Sequence, residues 1–431
     1  MIADVNSLIG SEYLALLKQK IMNILQNYDC AQNDIQEVQN MFNALENPFK
    51  NFTSEYMSFK HFSKSTNYIA PVPYEIGKIF CNKRKNNIMQ GKYDAVYGQY
   101  VPLDSVLKKF FELPNILKDT LAYMSYLSKE NSGLQNFIQG RLWFKKRKQY
   151  SKEDIVLSLF IYFDDFEVNN PLGSHSGKLG AVYVSLPCLP PECRSLLKNI
   201  FLVLLFDSWA RSHFKNKKTF FPLIKVLKLL ENEGILVQSN LGVKRVYFVL
   251  GLLTGDNLGL HQLFGLVESF SASYFCRFCK MHKKDTQKAV KEDPSLLRNL
   301  INYNNDIQLD NTSETGIKEE CVFHDISSYH ITENYTVDEL HDGREGLCNV
   351  DMLIILRNLT HGKYKCFNLE ILNNRMLMFD YGPKDSLNKP PRIYIDHLKK
   401  NKLKFTGSEM LCFVRLFGIF VGDLVCEDNP Y

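Results

Sequence analysis

The stretch that most limits how this chain can fold is Ile155-Val-Leu-Ser-Leu-Phe-Ile-Tyr-Phe163, a near-continuous apolar run that ends on Asp164 and Asp165 and then breaks at Asn169-Asn170-Pro171. Alternation is absent, and β-branched and aromatic side chains dominate, so the run reads as a strand buried on both faces. Two aspartates at the mouth of such a strand are costly to leave unpaired. They are either solvated where the strand surfaces into a turn, or they serve a cation. A second run of the same kind, from Val243, ends in Gly255-Asp256. Side by side, the two strands would bring Asp164 and Asp256 to one sheet edge, where repulsion is relieved by protonation or by a cation, and carboxylate oxygens suit a hard divalent ion. A third acid is then sought downstream. Glu345, ahead of the apolar helical run Val350 to Leu359, is the candidate, with Asp342, Glu319 and Glu320 as rivals. These acids lie too far apart in sequence for any local motif, so the fold has to assemble them.

Between the two acid-tipped strands lie two more apolar runs, Leu179–Leu186 and Ile200–Phe206, and then an amphipathic helix from Pro222 to Glu233. Upstream, residues 1 to 45 read as two helices, from Leu8, Leu14, Leu17, Ile21 and Ile24 and then Ile35, Val38, Met41 and Leu45 at three- and four-residue intervals. This pair either packs on the core or mediates self-association. From Phe49 to Gln99 the chain is aromatic, basic and turn-rich, and Lys83 to Lys92 reads as a disordered loop. Pro102 to Leu127 reads as helical with a break at Pro114. Downstream, 364–380 and 408–425 read as helical.

Composition adds exclusions. The 431 residues are 45% hydrophobic and 23% charged, ordinary for a globular chain of two to three domains. No apolar segment reaches the length of a membrane span, and Asp4 with no basic start argues against a secretory signal. Eleven irregularly spaced cysteines point to free thiols in a reducing compartment. Only Cys276 and Cys279 have ligand spacing. A lone CxxC pair leaves open a reduced surface pair and a zinc site completed by His282, His324, His330 or His341. The net charge of +5 is mild, but basic residues cluster at Lys83–Lys85, Lys145–Lys148, Lys215–Lys218, Lys280–Lys284 and Lys399–Lys404. Such clusters are either solvated faces or phosphate contacts, and Lys145–Lys148 has the form of a nuclear localisation signal.

The words YFDDFEVNNPLGSH, VYVSLPCLPPE, GLLTGDNLGLHQLFGLVESFSASYFCRFC, HITENYTVDELHD, EGLC and SEMLCFVRLFGIFVGDLV resemble the transposases of CACTA-like DNA transposons and their host-genome relatives, from about Asn47 onward. The resemblance implies an α/β, ribonuclease-H-like mixed sheet with flanking helices and a zinc-bearing insertion, to which the periodicity of residues 1 to 45 adds an α-helical N-terminal region. Its parts would be an N-terminal helical segment 1–46, a mixed region 47–150, the first part of the core 151–265, the insertion 266–340, and core completion with C-terminal helices 341–431. It implies a catalytic triad of Asp164, Asp256 and Glu345 holding Mg²⁺ or Mn²⁺, and a structural Zn²⁺ on Cys276, Cys279, His330 and His341. The expected partners are DNA and a second copy of the chain, in the nucleus and away from membranes. The alternative is a truncated or host-adopted protein of the same fold that binds DNA without cutting it. Gly343-Arg344 in place of an apolar pair before the glutamate, and the absence of a C2H2 finger ahead of the core, both point that way.

Overall fold

The computed structural model describes residues 12–28, 30–46, 52, 54–65, 68–85, 88–130, 133–167, 177–362 and 364–430, with positions 12, 13, 44, 46, 82–85 and 88–90 described by backbone alone. Helical position Leu8 and the turn at Asn169-Asn170-Pro171 lie outside these residues. The chain divides into two compact units, one ending at Pro71 and the other beginning at Val72.

The first unit contains α1 (Glu12–Asn27), α2 (Gln32–Glu46) and α3 (Glu55–Lys64). The two expected helices are present, with Phe42 buried and Lys18 donating to Asn43 at 3.0 Å. Ser54 caps α3 by accepting from the Met57 amide.

The second unit is mixed α/β, built on one seven-stranded sheet. In chain order it runs β1 (Val72–Lys85), β2 (Ile88–Tyr100), α4 (Leu103–Phe111), α5 (Ile116–Lys129), α6 (Arg141–Arg147), β3 (Ile155–Glu167), β4 (Lys178–Ser185), β5 (Phe201–Asp207), α7 (Ser208–Thr219), α8 (Phe221–Asn232), β6 (Ile235–Ser239), β7 (Gly242–Gly255) and α9 (Asn257–Phe264). The strands lie in the order β1-β2-β5-β4-β3-β7-β6. The β3–β7 pair is parallel, and the other pairs are antiparallel. The four apolar runs are β3, β4, β5 and β7, and the two that end in acids are direct neighbours. Val156, Leu157, Leu159, Ile161 and Phe163 of β3 are all buried, as a strand without polar alternation requires. The break in 102–127 falls between α4 and α5, where Asn115 takes a left-handed φ of 65° just after Pro114.

The stretch Lys83 to Lys92 is not a loop. Its described residues, 83–85 and 88–92, belong to a long antiparallel hairpin, paired from Val72↔Tyr100 to Lys85↔Ile88 with one register shift between Glu75 and Gly77. Pro73, which suggested turns, sits on β1, the edge strand, where a missing N–H breaks no ladder. β6, also unanticipated, is a five-residue strand at the opposite edge.

Residues 266–340 carry little regular structure beyond α10 (Leu300–Leu309). This segment is held by a buried polar knot. Arg298 donates to the carbonyls of Cys276 (3.1 Å) and Thr315 (2.7 Å) and faces Asp306, which also receives Lys280 at 2.6 Å. After it come a π-helix (Glu339–Leu347), α11 (Cys348–Thr360), α12 (Leu369–Met378) and α13 (Gly407–Val421). The last three build a second apolar core around Leu353, Leu356, Leu372, Met410 and Phe413.

Candidate carboxylate centre

Parallel pairing of β3 with β7 sets Phe163 opposite Gly255, so the next residue of each strand is an aspartate. A Cβ on Gly255 would meet the Phe163 carbonyl at 2.7 Å; glycine is what lets the strands close beside the two acids. Asp256 leaves β7 to cap α9, its Oδ1 accepting from the Gly259 amide at 2.5 Å. Its position is therefore fixed by a strand end and a helix start together. The Asp164 carboxyl is held above its usual range, first by burial, then by the charges of Asp256 and Asp165, with the Asp165 amide and His341 acting the other way.

Asp165 points to the opposite face, as strand alternation demands, and accepts from Ser208 at 2.6 Å. There it lines, together with Asp256, an open cleft of about 740 Å³ that also takes in Lys178, Asp207, Trp209, Arg211 and Glu268, and that Asp164 and Glu345 do not line.

The third element arrives by a route that local sequence does not signal. Buried Asn334 and Thr336 donate to the carbonyls of Gly251 (2.7 Å) and Leu253 (2.8 Å), so the chain tracks along β7 toward its C-terminal end. Asp338 follows, buried, capping the π-helix through the His341 amide at 3.0 Å and contacting His341 Nδ1 at 2.6 Å. His341 is held above its usual range by this bond to Asp338, with added pull from Glu345 and Asp256. Glu345, exposed on the same π-helix, Asp256 and Asp164 are all within electrostatic reach of His341. Tyr162 reports the same gathering: its hydroxyl is raised first by burial and then by Asp164, Asp256 and Asp338. Of the rivals for the third acid, Asp342 accepts from Asn257 at 2.6 Å and pairs with Arg277 at 3.5 Å. Glu320 faces His324 at 3.8 Å, and Glu319 borders a separate small cavity beside Lys318.

Cys276 and Cys279 are together: the Phe278 amide donates to Cys276 Sγ at 3.4 Å, and the Cys279 thiol is raised by burial and then by Cys276. His330 is stacked on His324, ring centroids 3.9 Å apart, and its Nδ1 meets the Thr332 hydroxyl at 2.7 Å. His341 stands with the carboxylates. Among the described residues no three His, Cys, Asp or Glu side chains are set closely enough to hold a metal ion as they stand. The donor chemistry fits two kinds of ion. Hard carboxylate oxygens at the strand ends suit Mg²⁺ or Mn²⁺, and the paired thiols suit Zn²⁺.

Sequence reasoning missed Asp338, Asn257 and Arg277. Arg277, between the two cysteines, is buried and donates to Asn257 Oδ1 (2.6 Å) and to the Thr336 carbonyl (3.2 Å), so it ties the cysteine turn to both acid-bearing elements. No protein-family model matches the chain, and no curated protein matches it significantly. No helix among the described residues is long and apolar enough to cross a membrane.

Proposed function

We propose that this chain is a transposase-type DNA phosphodiester-transfer protein with a ribonuclease-H-like core, in which Asp164, Asp256 and Glu345 hold Mg²⁺ or Mn²⁺. The observation that supports the reading is the parallel register Phe163↔Gly255, after which each strand continues into an aspartate, with His341 of the π-helix within electrostatic reach of Asp256 and Glu345. The resemblance in the sequence supports the same assignment. Held by these three carboxylates, such ions would supply the Lewis acidity for an in-line phosphodiester displacement. The chain's own residues supply the rest. The α9 N-terminus fixes Asp256, Ser208 holds Asp165 in the cleft that Asp256 also lines, and Asp338 orients His341. Cys276 and Cys279 with His330 and His341 would hold a structural Zn²⁺, and Arg277 would transmit its order to the acids. DNA is the substrate on this reading, with action in the nucleus and self-association through α1 and α2.

A second reading keeps the fold and the DNA partner without turnover. It is favoured by the exposure of Glu345 and by the absence of a ready-made three-ligand group among the described residues. Incubating the protein with supercoiled plasmid in Mg²⁺ or Mn²⁺, with and without EDTA, separates the two. Chelator-sensitive nicking supports the enzyme. Plasmid left intact while duplex DNA is bound supports the binding protein.

A further inference from the structure

The hairpin β1–β2 is longer than the sheet needs. β2 is paired to β5 only at Gln99 and Tyr100, and packing against the body is confined to the base. There Tyr74 donates to the Thr219 carbonyl at 2.8 Å, Ile76 is buried, and Gly77 lies under the Phe214 ring. Farther out, among the described residues, none is buried, and Phe80 and Tyr93 pair with each other across the strands at 5.2 Å while 59% and 65% exposed. Apolar content therefore does not explain the arm's length. Its charge is one-sided: from Ile76 to Tyr93 the sequence carries Lys78, Lys83, Arg84, Lys85 and Lys92 and no Asp or Glu. Lys78 and Lys92 make only surface pairs of 3.8 Å with Glu75 and Asp94 at the margins. By contrast, Lys145–Lys148 is built into the body: Lys145 pairs with Glu333 at 2.6 Å, Lys146 is buried against the Ser328 carbonyl, and Arg147 donates to the Asp154 carbonyl at 3.0 Å.

We infer that the β1–β2 arm is a nucleic-acid-binding ribbon that lies in or along a groove of duplex DNA and contacts phosphates through Lys83, Arg84, Lys85 and Lys92. A two-stranded ribbon fits the major groove, which is about 12 Å wide, and strands rising about 3.3 Å per residue carry the arm some 25 Å beyond Gly77. Edge lysines also guard against strand-to-strand aggregation, but that task does not require a run free of acids on both strands. The inference rests on the reading of DNA as partner and adds the element that grips it.

The test uses the full chain in EDTA, so that binding is read apart from cleavage. Fluorescence anisotropy with a mixed-sequence 30-base-pair duplex is measured from 50 to 200 mM salt for the wild type, for Lys83→Ala/Arg84→Ala/Lys85→Ala/Lys92→Ala, and for Lys83→Arg/Lys85→Arg/Lys92→Arg. The alanine variant should bind roughly tenfold or more weakly, with a log–log salt slope shallower by about 3.6, since each of the four phosphate contacts contributes about 0.9. The arginine variant should bind like the wild type, and the melting temperature of all three should agree. Equal affinity and slope for the alanine variant, equal losses in both variants, or no duplex binding by the wild type would each overturn the arm's role. So would a loss seen only on vesicles containing phosphatidylserine. Absence of metal-dependent nicking alongside the predicted binding pattern would count against the catalytic reading alone.

Discussion

Arg277 and Asp342 form an ion pair at 3.5 Å, joining the cysteine turn to the π-helix that carries Glu345. Asn257, the residue after Asp256, closes the link by accepting from Arg277 and donating to Asp342. Replacing Arg277 with Met strands these partners. It should lower stability by about 1–3 kcal/mol and reduce any nicking beyond what that loss explains, because Glu345 is no longer held toward Asp256. Arg277→Lys should not rescue, since one ammonium cannot serve Asn257, the Thr336 carbonyl and Asp342 together. Denaturation curves and nicking rates on the same preparations check this; full rescue by lysine would refute the bridging role.

Gly255 is the second lever. In Gly255→Ala the new Cβ collides with the Phe163 carbonyl, so β7 must shift at the point where the two aspartates are set. A destabilisation of about 1–3 kcal/mol is expected, with loss of metal-dependent activity in the fraction that remains folded. Wild-type activity in this variant would show that the strand register does not set the centre.

Acid sensitivity should centre on the imidazole pair. Burial first, and the neighbouring His330 second, hold His324 down to about 3, far below its ordinary value near 6.5. Between those values the unfolded chain binds a proton that the folded chain refuses, so stability rises with pH up to about 6.5 and is flat above. Going from pH 6.5 to 5 should cost about 2 kcal/mol at this site, and His324→Phe should remove much of that dependence. Urea denaturation at pH 7 and pH 5 reads it directly. Identical pH slopes for variant and wild type would contradict the assignment.

Zinc is tested by composition. Purified protein should contain about one zinc per chain, lost in Cys276→Ser, because two thiolates and two imidazoles form a closed structural site. Elemental analysis showing none, or no change in the variant, would remove zinc from the account.

The four apolar strands were legible because β3, β4, β5 and β7 are buried on both faces, and burial of that kind writes itself as uninterrupted Val, Ile, Leu and Phe. The adjacency of Asp164 and Asp256 followed from strand order and from the glycine that admits the close approach. The stretch Lys83 to Lys92 reads as a loop because its asparagines, glycine and basic run carry the composition of one; cross-strand pairing that buries little leaves no apolar signal. Asp338 was invisible for a different reason. Its place depends on Asn334 and Thr336 reaching the carbonyls of Gly251 and Leu253, contacts across more than eighty residues that no local pattern encodes. The same tethering puts His341 among the acids.

The central claim is that Asp164, Asp256 and Glu345 act as one metal-holding centre, and Asp256→Asn tests it most directly. The amide keeps the shape and can still accept from the Gly259 amide to cap α9, but it removes the charge that a divalent ion needs. Nicking of supercoiled DNA in Mg²⁺ or Mn²⁺ should disappear in this variant, while duplex binding stays the same or strengthens slightly as a negative charge leaves a phosphate-facing surface. Nicking at the wild-type rate in Asp256→Asn would contradict the account.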